Sequence, residues 1–248
     1  MAGLLFDISE TLDEVRSAAA LAEDFIENPK QGFGELATQL ENLRNQNTSA
    51  VIAWTIPESR PIRTRPSDGE YELGDKGYSV FGTVSSIWEI RRVKPKKAKG
   101  PAIQFELAGN ASTVVRVFRS ATADKQEEQV AMWRMEIAQH DSPGCHFHVQ
   151  VLGDSETLPF PKSLPVPRLP SLMATPPAVL EFLLAELFQE RWRKHVFAES
   201  TAIKRWRAIQ RTRLTQLLQW QKDEVDVQAG SPWCALKLAK PSANLFTP

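Results

Sequence analysis

Between Tyr78 and Val151 apolar and polar residues alternate with a period of two, in runs broken by short connectors. A pleated strand sends successive side chains to opposite faces, so this pattern predicts half-buried strands. The runs are Tyr78 to Val93, Ala102 to Leu107, Thr113 to Arg119, Val130 to Ile137 and Cys145 to Val151. Their connectors carry turn residues: Lys94 to Pro101 with four lysines, Ala108-Gly109-Asn110, and Asp141-Ser142-Pro143-Gly144. A parallel crossover needs about a dozen residues or more, so neighbouring runs pair antiparallel. Lys96, Lys97 and Lys99 read as the charged tip of a hairpin.

The flanks have a different period. Ser9 or Thr11 can cap a helix reaching about Glu27, with Leu12, Val15, Ala19, Leu21 and Phe25 or Ile26 as its apolar face, and Asn28-Pro29 stops it. A second helix is expected from Gly34 to Arg44, where Leu36, Leu40 and Leu43 recur at helical spacing. Residues 50 to 56 read as a buried strand closed by Pro57, followed by a long loop to Gly77. Seven prolines between residues 158 and 177 forbid helix or central strand and predict an extended strap. Thr175 then caps a helix with Pro176 and Pro177 in its first turn, apolar over most of its circumference. A last long helix is expected from about Ala202 to Val225.

The 248 residues fit one large domain. The reading is a single α+β domain over 1-248: a helical N-terminal region (1-49), a central antiparallel sheet (50-157), the strap (158-177), and C-terminal helices with a tail (178-248). The helix from Pro177 to Lys194 is expected to pack on one face of the sheet. Cys145 and Cys234 belong to no metal-binding array, so a reducing cytoplasm is the expected location. Glu181 and Glu186 interrupt the longest apolar stretch, which argues against a membrane span.

Thirty Lys and Arg balance thirty Asp and Glu, so any attraction to a polyanion must come from a patch. Residues 1 to 28 hold seven acids and one base, Arg16, while residues 191 to 213 hold eight bases against Glu199. The basic segment, with Arg193, Lys204, Arg205, Arg207 and Arg211 as candidate contacts, could serve nucleic acid or an acidic partner. The other reading is a solvated helix face, or pairing with the acidic N-terminal region, and charge runs are usually solvated.

One segment carries recognisable chemistry. As a strand, Cys145 to Val151 places His146, His148 and Gln150 on one face and Phe147, Val149 and Val151 on the other. A hairpin with the preceding strand adds Arg134 and Glu136 to the histidine face and Trp133, Met135 and Ile137 to the core face, with Gln104, Glu106 and Arg116 as further candidates from neighbouring strands. Three readings remain open: an ordinary solvated sheet face, a metal site with His146 and His148 as ligands, and a nucleophilic site. No metal-ligand set is complete, and the sequence specifies no cofactor.

The nucleophilic reading comes from a resemblance. His146-Phe147-His148-Val149-Gln150-Val151-Leu152 resembles the histidine-triad motif in its glutamine-bearing nucleotidyl-transferase form. That resemblance implies attack by His148 on an α-phosphate, with His146 and Gln150 as phosphate or orienting contacts, and with Arg134 and Glu136 close by. A second resemblance covers residues 78 to 151 more coarsely. Met132-Trp133-Arg134-Met135-Glu136, a turn with Pro143 and then a His-x-His strand are similar to small prokaryotic proteins of toxin-antitoxin loci, of the TumE-like kind. It implies a bacterial chain that works with a partner, in a toxin-antitoxin or anti-phage defence system. The expectation is therefore a cytoplasmic interaction protein with a protein partner, nucleic acid as a further partner through residues 191 to 213, and no membrane. The alternative is a nucleotide- or nucleic-acid-processing enzyme acting through the His146/His148 face, by phosphoryl or nucleotidyl transfer or by metal-assisted hydrolysis.

Overall fold

A computed structural model describes residues 3–46, 49–67, 79–93, 103–122, 126–138, 145–151, 169–227 and 230–247. The expected Lys96 to Lys99 hairpin tip, the Asp141 to Gly144 turn and most of the proline-rich strap lie outside these residues.

The architecture is α+β, with an eight-stranded antiparallel sheet and helices at both ends of the sequence. The chain opens with β1 (Leu5–Asp7), α1 (Ile8–Ala22), α2 (Pro29–Asn45), β2 (Val51–Ile56) and β3 (Ile62–Arg63). It continues through β4 (Val80–Val93), β5 (Gln104–Arg119), β6 (Glu128–Ile137), β7 (Phe147–Val151) and β8 (Leu169–Pro170). It closes with α3 (Pro176–Val196), α4 (Thr201–Val227) and α5 (Pro232–Leu238). The sheet runs β2-β4-β5-β6-β7-β8, with β3 beside β4 and β1 beside β5. The long strands β4 and β5 are thus each flanked on their outer edge by two shorter strands laid end to end.

Two expectations about strands need correction. The runs 102 to 107 and 113 to 119 are not separate strands joined by a turn, because β5 is continuous through Ala108-Gly109-Asn110. Those three residues form a bulge, where the register against β4 jumps from Trp88↔Ala111 to Ile90↔Leu107. Glu89 on β4 fixes the bulge by accepting the Asn110 N–H at 2.8 Å, and a Cβ at Gly109 would lie 1.9 Å from the Glu89 carboxylate. The bulge also marks where the outer neighbour of β5 changes, since Gln104 to Glu106 pair with β1 and Ala111 to Arg119 with β6. The second correction is that β2 is an edge strand, with Val51 50% exposed and only Trp54 and Ile56 buried.

At the N-terminus Asp7 rather than Ser9 or Thr11 caps α1, its Oδ1 accepting the Glu10 N–H at 2.8 Å. The helix stops at Ala22, short of Glu27, because Phe25 to Glu27 leave it to pair with Arg63 to Arg65: Glu27 N–H donates to Arg63 O (2.8 Å) and Arg65 N–H to Phe25 O (2.7 Å). Pro29 starts α2, five residues before the expected Gly34, with Asn28 in the left-handed region before it. The chain's two ends meet at β5: Leu5 N–H donates to Ala243 O at 2.8 Å, and Phe6 stacks on Phe105 and Phe246 at 5.3 and 5.4 Å.

One face of the sheet carries the core. Trp54 and Trp88 meet edge to face at 5.6 Å among Val84, Ile90, Phe105 and Val115, beneath Leu36 and Leu40 of α2. Both buried indoles keep a partner, Trp54 donating to Leu36 O and Trp88 to Thr113 Oγ1. Helix α3 begins as its sequence suggests, with Thr175 Oγ1 accepting the Ala178 N–H and prolines in the first turn. It lies over β4 at Gly82, where a Cβ would come within 2.6 Å of Leu183 Cδ2.

A buried polar junction locks the helical layer. The Glu14 carboxylate is inaccessible to solvent and accepts hydrogen bonds from Thr175 Oγ1 (2.5 Å), Gln210 Nε2 (2.7 Å) and Arg213 Nη1 (2.6 Å). Arg213 also reaches Glu10 at 3.0 Å. Burial alone would depress the Arg213 guanidinium, but Glu14 and Glu10 outweigh it and hold its pKa above the ordinary arginine value. One cluster of charges therefore ties α1, the start of α3 and α4 together.

Candidate functional site

The hairpin of β6 and β7 pairs Trp133↔Val151, Arg134↔Gln150, Met135↔Val149, Glu136↔His148 and Ile137↔Phe147. This register puts Arg134, Glu136, His148 and Gln150 on one face and the apolar residues on the other. Of the remaining candidates, Gln104 and Glu106 lie on the half of β5 that pairs with β1, where Glu106 is buried against Arg91, and Arg116 pairs with Glu58 at 3.1 Å. By register Arg116 shares the face of Arg134 and Glu136, but it is engaged with Glu58, and Gln104 and Glu106 lie beside β1 rather than β6, so the three stand apart from the cluster around His148.

His148 is only 2% exposed, so that part of the face is not the open surface the alternation suggests. Its Nδ1 lies 3.1 Å from Cys145 O, and its Nε2 lies 3.2 Å from Glu136 Oε2 and 3.5 Å from Gln150 Nε2. A carbonyl oxygen can only accept, so Nδ1 carries a proton, and Nε2 sits between a carboxylate and an amide donor. Arg134 Nε is 3.4 Å from Glu136 Oε1, and its Nη2 donates to Gln150 Oε1 at 3.4 Å. His146 precedes β7: it is half-buried, its ring meets Phe147 edge-on at 4.9 Å, and its C=O accepts the Ala138 N–H at 2.7 Å. Among the described residues, no group of three or more His, Cys, Asp or Glu is placed to hold a metal ion.

The opposite face of the same hairpin holds a larger feature. Phe147 is buried, with Trp220 of α4 edge-on to it at 5.6 Å. Trp133, Met135 and Val149 are not fully buried as expected, because they form one wall of a groove of about 970 Å³. The groove exists because α3 packs over β4 and β5 and stops short of β6 and β7. Its second wall is α3 with Phe182 and Trp192, and Leu172 and Leu214 also line it. Glu181, on the α3 wall, accepts the Trp206 Nε1–H at 2.8 Å. Burial raises the Glu181 carboxyl above its ordinary range; the Trp206 hydrogen bond opposes this, and the nearby Glu14 charge adds to it.

No family model, curated protein or solved structure matches the chain. The site has to be read from its own chemistry.

The basic segment is largely engaged within the chain. Arg205 pairs with Asp13 at 2.5 Å and Arg213 with Glu10 and Glu14, so acids of α1 face bases of α4. Arg193 pairs with Glu190 at 2.7 Å, Lys204 with Glu199 at 2.9 Å, and Arg207 lies 3.9 Å from Glu199 and donates to Val196 O. Arg211 is exposed and has no ion pair among the described residues. Arg207 and Arg211 line a second cleft of about 480 Å³, which meets the large groove at Glu181, Gln210 and Leu214.

The sequence reading gives no binding role to Glu181, Phe182, Gln210 or Leu214; it places Phe182 and Leu214 on apolar helix faces, whereas they are 53% and 38% exposed in the groove. The available signal was Glu181 itself, an acid inside the longest apolar run. Among the described residues no helix is long and apolar enough to cross a membrane.

Proposed function

We propose that this chain is an interaction protein whose working surface is the apolar groove between α3 and the β6–β7 hairpin. The observation that carries this reading is the concentration of exposed apolar side chains there. Phe182 is 53% exposed, and Leu172, Val130, Leu214 and Val151 are also open to solvent on the same walls. Single exposed apolar residues are ordinary, but a contiguous set lining a cleft marks a place where another molecule is bound. The TumE-like resemblance supports the same reading, since it implies a bacterial chain acting with a partner in a toxin-antitoxin or anti-phage defence system.

The enzymatic alternative takes second place. A nucleophilic imidazole needs a ring nitrogen facing substrate, whereas both nitrogens of His148 have partners and the large groove lies on the other face of the hairpin. Nucleic-acid binding through the basic segment has Arg211 as a cation without an ion pair among the described residues.

The test is site-specific photo-crosslinking in bacterial cells, from position 182 in the groove and from position 87 on the opposite face. A discrete protein adduct from position 182, lost when Leu214→Asp is added, supports the proposal. Equal adducts from both positions, or indifference to Leu214→Asp, would overturn it.

A further inference from the structure

We propose that the groove's occupant is a single amphipathic helix of the partner protein, carrying a basic side chain that seats against Glu181. This rests on the reading of the groove as the working surface and adds what the partner presents to it.

The shape argument comes from the layers. On the core face of the sheet α2 lies over β2 and β4 and α3 over β4 and β5, while α4 reaches β7 at Phe147 through Trp220; between α3 and that contact Trp133, Met135 and Val149 face the groove. A helix with its side chains is about 10–12 Å across and packs about 8–10 Å from its neighbour, so one more helix laid beside α3 completes the layer. Trp133, Met135 and Val149 would receive its apolar stripe from the sheet side, and Phe182 from the α3 side. Recognition of this kind reads apolar anchors at i, i+3, i+4 and i+7.

The charge argument selects the partner's sign. Among the described residues, the charged side chains lining the groove are Glu181 and Glu186, and no Lys, Arg or His lines it. Glu181 already receives a hydrogen bond from Trp206, yet burial still disfavours its ionised form. An ammonium or guanidinium brought alongside would offset that cost, whereas an acidic helix or an anionic lipid would raise it. The overall neutrality of the chain leaves this local preference unmasked.

The experiment uses the full chain and two synthetic helices of roughly 18 residues, or five turns, with the same leucine stripe. One carries lysine on its polar face and the other glutamate. Binding is followed by tryptophan emission, because Trp133 and Trp192 line the groove. The Leu/Lys helix should bind at least about tenfold more tightly, a difference of about 1.4 kcal/mol. Replacing Glu181→Gln and Glu186→Gln together should bring the two affinities close to each other, and Phe182→Asp, at a position 53% exposed and with its fold checked by circular dichroism, should abolish both.

Equal binding of the two helices, or tighter binding of Leu/Glu, overturns the basic-helix inference while Phe182→Asp still reports on the groove. Failure of both helices to bind, or binding that ignores Phe182→Asp, overturns the groove reading itself. If sedimentation shows that the chain dimerises and that Phe182→Asp makes it monomeric, the occupant is a second copy and the inference fails.

Discussion

Arg213 Nη1 lies 2.6 Å from Glu14 Oε2, and both side chains are withdrawn from solvent. A buried ion pair is asymmetric in its energetics: losing one partner strands the other charge, while replacing both with apolar groups of similar volume can be neutral. Arg213→Met or Glu14→Gln should each cost about 3–5 kcal/mol in chemical denaturation. Glu14→Leu combined with Arg213→Met should cost far less than the sum of the single losses. Additive costs would mean that the two residues stabilise the fold independently.

Glu181 makes stability depend on pH in a defined direction. Because burial holds its pKa above the ordinary value of 4.5, the folded chain retains a proton that the unfolded chain releases. Its contribution is therefore lost as pH rises from that value through the folded-state pKa. Glu181→Gln keeps an acceptor for Trp206 and removes the titration. It should be more stable than wild type at neutral pH, and the gap should close at about pH 4, below the unfolded carboxyl's ordinary value. A gap that is constant with pH would show that Glu181 does not titrate differently on folding.

How much of this could be read from the sequence depended on whether the controlling contact was local. Thr175 with Pro176 and Pro177 was legible, because a cap and a proline at the first helical position need only their own neighbours. The grouping of Arg134, Glu136, His148 and Gln150 was legible too, because the pleat decides it. Ala108-Gly109-Asn110 was misread as a turn, since bulges and turns favour the same residues and the choice was made by Glu89 on another strand. The groove was illegible for a related reason: alternation says which face of a strand is apolar, and says nothing about where the helix covering it ends.

Gly82 is needed for the approach of α3. Gly82→Ala places a methyl carbon 2.6 Å from Leu183 Cδ2, so the leucine must change rotamer or the helix must move. Overpacking of this kind costs about 1–3 kcal/mol. The melting temperature of Gly82→Ala should fall, and Leu183→Val in the same chain should recover part of the loss. No recovery would place the strain in the β4 backbone instead.

The two thiols should differ in reactivity. Cys145 is buried and desolvation raises its pKa despite the charge of Lys237, while Cys234 is exposed on α5. Since the thiolate is the reacting form, brief alkylation of the native chain at neutral pH should label Cys234 and spare Cys145, as read by peptide mass spectrometry. Equal labelling would mean that the start of β7 opens readily.

His148 gives the last prediction. Its ring satisfies Cys145 O and stands against Glu136, so His148→Ala leaves buried polar groups without that partner and should cost about 1–3 kcal/mol. If the variant melts like wild type, the contacts around the ring contribute nothing to the fold.

The meeting of residues 5–7 with β5 and with Ala243 sets an order of events in the cell. During synthesis Leu5, Phe6 and Asp7 emerge before Gln104 to Glu106, which follow only after the whole N-terminal helical region, and Ala243 and Phe246 come much later. Until then the opening strand has no edge to join. The clasp around Phe6 therefore closes in two stages, first when β5 emerges and then when Ala243 and Phe246 have been made.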